Sequence, residues 1–385
     1  MKLLLIAALV AGCVDTDEVE TETVARSAHA PFGYARVRAD GSLLDRMDIM
    51  SGTDAVSVQH ASTGVYTVIF PGFVSSSLDG GGGHADVTAE GTDNNRCWIS
   101  SWFIAFGQMS VAVHCGRPDG NAANTAFTVA AYQRTMPSVP DANAPTTSAY
   151  AWVTGNGEVS PFYDFNSTGY HNTVRRQGPG NYLVFVPVKN WNHPTSVVVT
   201  PYAASDPGSV CSSASYGASP IPPGLQGVTI SVLCSDRFGN PLDSAFSVAA
   251  STQGVIDAQQ GAYGLVWWYG PWPDPDYSFT FGYHGTCSPT SMSMTRSGAL
   301  ATLAIDGDFG SLDGNPFRTP MLVTPYWGAT PGYCKVESIT DSGAVPSAHS
   351  QTNIRCYTAN GALVATPYFF FAQVTSDAAA PGYCR

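Results

Sequence analysis

The sequence predicts an all-β protein of three tandem β-sandwich-like repeats, each closed by its own disulfide. Three observations predict it: a composition suited to strands and turns, a motif set that returns three times, and cysteines that recur in register with that set. Charged residues are only 12% of the chain, which carries 39 glycines, 27 prolines, 18 tyrosines and 18 phenylalanines. β-branched and aromatic side chains suit pleated surfaces, and Gly and Pro suit the turns between them. No long segment places apolar residues at i, i+3, i+4 and i+7, so helices are expected to be few and short.

The repeat is read along the chain as follows. A first strand, Gly33-Tyr34-Ala35-Arg36-Val37, returns as Ala149-Tyr150-Ala151-Trp152-Val153 and as Ala262-Tyr263-Gly264-Leu265-Val266. Gly64-Val65-Tyr66-Thr67-Val68 returns as Gly180-Asn181-Tyr182-Leu183-Val184 and fades to Gly298-Ala299-Leu300-Ala301-Thr302. Asp86-Val87-Thr88-Ala89 aligns with Val198-Val199-Thr200-Pro201 and Leu322-Val323-Thr324-Pro325. A cysteine follows each (Cys97, Cys211, Cys334), and a second ends an alternating strand (Cys115, Cys234, Cys356) before a Gly-Asn or Asn-Gly turn. Ala126-Phe127-Thr128-Val129, Ala245-Phe246-Ser247-Val248 and Tyr368-Phe369-Phe370-Phe371 close the copies. Each repeat thus offers six to eight short strands, the pattern of a sandwich. The expected boundaries are 31–134, 148–252 and 261–385, with a proline-rich linker at 135–147 and a shorter one at 253–260.

The cysteines follow the repeats. Setting Cys13 aside leaves eight, and an even number in an exported chain reads as disulfides. No CxxC pair and no His at zinc-site spacing stands beside them. The expected bridges are Cys97–Cys115, Cys211–Cys234 and Cys334–Cys356. Cys287 and Cys384 occur only in the third copy and are expected to pair there. A bridge across a loop of about 20 residues is worth roughly 3 kcal/mol in the chain-entropy account.

Export itself is read from the start of the chain. Lys2 supplies a positive charge, Leu3 to Ala11 a short apolar run, and Val10-Ala11-Gly12-Cys13 a small-residue cleavage site; the run is too short to span a membrane. Those four residues resemble the lipobox of bacterial lipoproteins. The resemblance implies that 1–12 is a signal peptide and that Cys13 carries an acyl anchor strong enough for stable membrane attachment. Residues 13–30, with Asp15, Asp17, Glu18, Glu20 and Glu22 against Arg26 alone, read as an extended acidic tether. Random-coil scaling gives it a span of roughly 20–25 Å. The expected location is the cell envelope, at the outer membrane or cell surface. The repeats also resemble exported bacterial repeat proteins of unassigned function, which implies no activity.

Net charge is −12, with no Lys/Arg stripe, so nucleic acid is not an expected partner. No GxSxG elbow, HExxH or phosphate loop is present. The eight histidines are scattered and read as turn or surface residues, and Gly80–Gly83 reads as a flexible hairpin tip. Asn166-Ser167-Thr168 is a glycosylation triplet without weight in a bacterial lipoprotein.

Two segments stand out. Asp306, Asp308 and Asp313 alternate with glycines, as oxygen ligands for Ca²⁺ do, although the EF-hand pattern is incomplete and an acidic surface turn is the plainer reading. Trp267-Trp268 leads into a proline-stiffened loop with Trp272, Asp274, Asp276 and Tyr277. Trp268, Trp272 and Tyr277 beside the two carboxylates have the chemistry to stack on sugar rings; the other reading is a packed loop covering the end of a sandwich. The expected function is therefore non-enzymatic: a lipoprotein displaying binding modules for polysaccharide or another envelope component, with no required cofactor. The alternatives are a structural subunit of an envelope assembly, or an exported hydrolase with a site between repeats built from Asp274, Asp276 and either Asp306 or Asp308.

Overall fold

The computed structural model describes residues 31–48, 56–134, 148–188, 196–202, 208–220, 226–251, 263–268, 278–282, 291–306, 321–326, 331–342, 349–364 and 369–374. Every regular element among them is a strand. Repeat 1 contributes β1 (Phe32–Val37), β2 (Leu43–Asp48), β3 (Ser57–Ser62), β4 (Val65–Pro71), β5 (His84–Glu90), β6 (Arg96–Ala105), β7 (Gln108–Gly116) and β8 (Ala126–Tyr132). Repeat 2 contributes β9 (Ser148–Val153), β10 (Val159–Asn166), β11 (Thr173–Gly178), β12 (Asn181–Val188), β13 (Ser196–Tyr202), β14 (Val210–Pro220), β15 (Gln226–Ser235) and β16 (Ala245–Ser251). Repeat 3 contributes β17 (Tyr263–Trp268), β18 (Ser278–Gly282), β19 (Ser291–Ser297), β20 (Leu300–Asp306), β21 (Met321–Pro325), β22 (Gly332–Ser342), β23 (His349–Thr358) and β24 (Phe369–Val374).

The same two sheets form in each repeat. The first runs β2-β1-β8-β5, β10-β9-β16-β13 or β18-β17-β24-β21; the second runs β3-β4-β7-β6, β11-β12-β15-β14 or β19-β20-β23-β22. Alternation explains the pairing of the two layers. In β4 and β12, Tyr66, Val68, Phe70, Tyr182, Val184 and Val186 are buried between sheets, and the intervening Thr67, Ile69, Leu183 and Phe185 are partly exposed. The recurrent Gly-x-Tyr has a local cause. Gly64 and Gly180 sit at φ +68° and +63°, and a Cβ there would lie 2.3 and 2.2 Å from the carbonyls of Cys115 and Cys234. The tyrosine that follows donates its hydroxyl to Ala39 O (Tyr66, 2.8 Å) or Gly155 O (Tyr182, 2.7 Å), closing the end of the sandwich.

The three disulfides Cys97–Cys115, Cys211–Cys234 and Cys334–Cys356 form as expected. Each joins residues directly opposite on adjacent antiparallel strands.

The repeats do not hang as separate beads. β6 pairs in parallel with β13 at Ile99 and Tyr202, and β22 pairs in parallel with β5 at Val336 and Glu90. Ser213 in β14 makes a parallel bridge to Tyr326, just past β21. Each repeat's second sheet therefore meets the first sheet of another repeat, and the three junctions close a ring. The aligned Val-Thr segments form its hub. Val323 N donates to Thr88 Oγ1 at 3.0 Å, Val199 N donates to Thr324 Oγ1 at 3.1 Å, and at the third junction Thr200 Oγ1 donates to Asp86 Oδ1 at 2.9 Å. One core cluster draws on all three repeats: Tyr34 and Tyr132 from the first, Tyr150 and Val198 from the second, Leu322 from the third.

Arg96 joins all three repeats beside the hub. Its Nη1 donates to Ala359 O in repeat 3 at 2.8 Å and its Nη2 to Gly208 O in repeat 2 at 2.7 Å, while its guanidinium lies 5.5 Å from the Tyr333 ring. Beside it the buried Lys335 of repeat 3 reaches Asp93 of repeat 1 at 2.6 Å, and burial lowers the lysine's proton affinity.

Candidate functional site

Three places invite a functional reading. The first is a cavity on the ring axis, about 40 Å³, lined by Val87, Thr88, Val199, Pro201, Val323 and Pro325 among others. Ligand pockets for organic molecules run to several hundred Å³, whereas a single water needs only about 10–15 Å³. The cavity is room for water at a joint, not for a substrate.

The second is the seam between repeats 1 and 2. The Gly80–Gly83 run is buried and packed, correcting the expectation of a flexible tip. A Cβ on Gly80 would lie 2.3 Å from Arg134 O, and one on Gly82 would lie 2.4 Å from the Tyr163 ring. Gly82 N donates to Phe162 O at 2.8 Å, and Trp102 Nε1 donates to Gly82 O at 3.1 Å. Gly82 is there because the turn runs against the Tyr163 and Phe162 rings, whereas side chains on Gly80, Gly81 and Gly83 would meet the carbonyls of Arg134, Ser76 and Tyr132. Trp102 meets Tyr163 and Tyr202 edge-on at centroid distances of 5.4 and 5.2 Å, and Trp152 meets Tyr202 at 5.3 Å.

His84, one of the scattered histidines read as turn or surface residues, is fully buried in this seam, and so is Asp86. His84 Nε2 lies 3.0 Å from Asp86 Oδ2, and the imidazole stacks on Tyr150 at 5.2 Å. The Tyr150 hydroxyl lies 2.8 Å from the carbonyls of Gly80 and Arg134 and accepts from the Arg134 amide; burial pushes its ionisation well above the ordinary phenol range. The buried polar pair occupies positions where the other repeats carry Ser196 with Val198, and Pro320 with Leu322.

A second histidine stands at the seam's outer edge. His171 Nδ1 bonds Asp164 Oδ2 at 2.8 Å, and Asp164 also accepts from Asn172 Nδ2 at 2.6 Å. Burial raises the Asp164 carboxyl above its usual range, against the pull of those donors. His171 Nε2 faces solvent and Asp79 Oδ2 of repeat 1 at 3.7 Å. A histidine oriented by a buried carboxylate is half of a catalytic dyad. Among the described residues, however, no hydroxyl or thiol bonds its Nε2, and no cluster of three metal-ligating side chains exists. The contact of His171 with Asp79 spans the seam between repeats 1 and 2. Nearby Asn166, of the glycosylation triplet, is fully buried and donates to Pro187 O at 3.0 Å and to Asn172 Oδ1 at 3.1 Å, so it organises a turn.

The third place is the outer end of repeat 1. There the 72–83 connection meets the β6–β7 hairpin through Gly72 N to Gly107 O at 2.8 Å. Val74, Leu78, Phe103 and Phe106 are exposed on these elements, and Phe162 borders them from repeat 2. Phe106 is wholly exposed and takes φ +52° in a two-residue turn with Gly107 at +76°. Nothing in the composition or the repeat alignment marks this cluster, because its members are separated in sequence and look like ordinary strand and turn residues.

Of the residues expected to carry function, Cys13, Trp272, Asp274, Asp276, Tyr277, Asp308, Asp313, Cys287 and Cys384 lie outside the described residues. Trp268 ends β17 and Asp306 ends β20, with their side chains outside the description. No known protein family, curated protein or solved structure matches this chain.

Proposed function

We propose that this chain is a non-enzymatic lipoprotein of the cell envelope, anchored through Cys13, whose three-sandwich body serves as a fixed binding platform for polysaccharide or another envelope component. The observation that carries this reading is the ring closure. Main-chain pairing between repeats holds the three sandwiches in one orientation, so loops at their outer ends present contact residues without an ordering cost on binding. The three disulfides agree with an exported protein. The reading differs from independent modules on flexible linkers in one respect: avidity arises from fixed geometry, not from linker reach.

The test is a glycan and cell-wall-polymer array probed with the detergent-solubilised chain beside a Trp268→Ala/Trp272→Ala variant. Saturable binding lost in the variant supports a carbohydrate platform with its site in repeat 3. A blank array with both proteins folded shifts the function to protein assembly. That second reading has its own support in the solvent-facing edge strands β3 and β11, which end their sheets with mostly exposed side chains.

A further inference from the structure

We propose that the outer end of repeat 1 is a lipid-contacting face, which seats the body on the interface of the bilayer that holds its anchor. This deepens the anchored-platform reading and rests on it. Two independent observations carry it.

The first is where the chain enters the body. Pro31 O accepts from Gln133 N at 3.0 Å, and the same glutamine's side chain accepts from Val74 N at 3.0 Å and donates to Gly81 O at 2.8 Å. The tether therefore arrives one residue's width from the 72–83 connection that carries Val74 and Leu78. An 18-residue chain reaches roughly 20–25 Å by random-coil scaling, so with the anchor at Cys13 the end holding Pro31 is the end kept nearest the membrane. Exposed apolar side chains at that end meet the headgroup and acyl boundary, where aliphatic and aromatic groups gain by burial.

The second is Phe106. A non-glycine residue at φ +52° costs energy, and a two-residue hairpin of this type ordinarily uses Asn or Asp at that position. Here a phenylalanine is held in that conformation with its whole ring in solvent. Folding gains nothing from it in that position, whereas a tip inserted into an apolar phase does. Net charge of −12 and the neighbouring Asp79 argue for a zwitterionic surface over an anionic one.

The experiment labels Phe106→Cys of the lipidated chain with an environment-sensitive dye and places it on phosphatidylcholine vesicles, with quencher groups at set depths on the acyl chains. A matched label at Phe238→Cys, an exposed apolar position on repeat 2, serves as the control. The expected result is a blue shift and depth-dependent quenching at position 106 and neither at 238. In the same assay, a Val74→Ser/Leu78→Ser pair lowers the ratio of quenched to unquenched label 106 by about a hundredfold or more, the loss expected from two apolar side chains. A chain that sits on vesicles through its lipid while label 106 stays in water overturns the proposal and leaves the anchor intact. A chain that carries no lipid and does not partition onto vesicles overturns both.

Discussion

Replacing Arg96 by Met removes the pin that joins all three repeats while keeping the volume of the side chain. Arg96 is almost fully buried and donates to one carbonyl in repeat 2 and one in repeat 3. A hydrogen bond from a charged donor contributes about 1.5–3 kcal/mol, so the two together contribute about 3–6 kcal/mol. The contact with the Tyr333 ring adds about 1 kcal/mol, and the guanidinium's own desolvation offsets part of the total. The expected net loss is about 3–5 kcal/mol. A folded body of roughly 350 residues unfolds with an entropy near 0.7 kcal/mol per degree, so the midpoint falls by about 4–7 °C. Arg96→Lys, which reaches only one carbonyl, falls between wild type and Arg96→Met. The assay is thermal unfolding by calorimetry and near-ultraviolet circular dichroism. A midpoint within 1 °C of wild type for Arg96→Met refutes the reasoning, because two buried carbonyls would then have lost their donor without consequence.

Other predictions follow the same logic. Gly80→Ala forces a Cβ against Arg134 O at a left-handed φ and costs about 2–4 kcal/mol, read by urea unfolding. A cost under 0.5 kcal/mol would mean that the turn is loose after all. Asp243 accepts from Arg176 at 2.9 Å and from Gly180 N at 2.9 Å, chiefly the arginine bond holding its carboxyl below the usual range. Because the folded form favours the carboxylate, this stabilisation is present above the ordinary aspartate range and is lost as pH falls through it. Asp243→Asn flattens that acid limb of the midpoint-versus-pH curve, and an unchanged curve removes the assignment. Asp86→Leu, taking the residue of repeat 3, leaves Thr200 Oγ1 without its acceptor but relieves a buried carboxylate, so stability changes by less than about 2 kcal/mol. Reducing Cys97–Cys115 alone through a double serine variant lowers stability by about 3 kcal/mol.

How much of this was legible in the sequence divides by range. Strand positions, the recurrence of Gly-x-Tyr in the first two repeats and the three disulfides were readable, because each depends on residues close in sequence or repeated in register. The Val87-Thr88, Val199-Thr200 and Val323-Thr324 segments were readable as an alignment but not as a meeting place. Nothing local to a strand states which distant edge it will pair with, and the threonine oxygens bond amides up to 235 residues away. Gly80–Gly83 misled for a related reason: glycine is permissive in water and equally the residue that admits a close neighbour, and only the rings against Gly82 and the distant carbonyls of Arg134 and Tyr132 against Gly80 and Gly83 decide between the two. His84 read as a turn or surface residue because polarity argues for solvent, yet it lies fully buried inside the seam with its Nε2 3.0 Å from Asp86 Oδ2. The apolar end of repeat 1 could not be seen, since Val74, Leu78 and Phe106 become neighbours only when the 72–83 connection folds back on the hairpin.

The central claim is that the repeats form one closed ring joined by strand pairing and not a string of sandwiches. It is tested by placing a specific protease site within residues 135–147, cutting the folded protein there under non-reducing conditions, and measuring the size of the product without denaturant. The account predicts that the two pieces stay together as one particle of uncut mass, held by the β5–β22 and β6–β13 junctions, and part only when unfolded. Pieces that separate on cutting, each still folded, would contradict it.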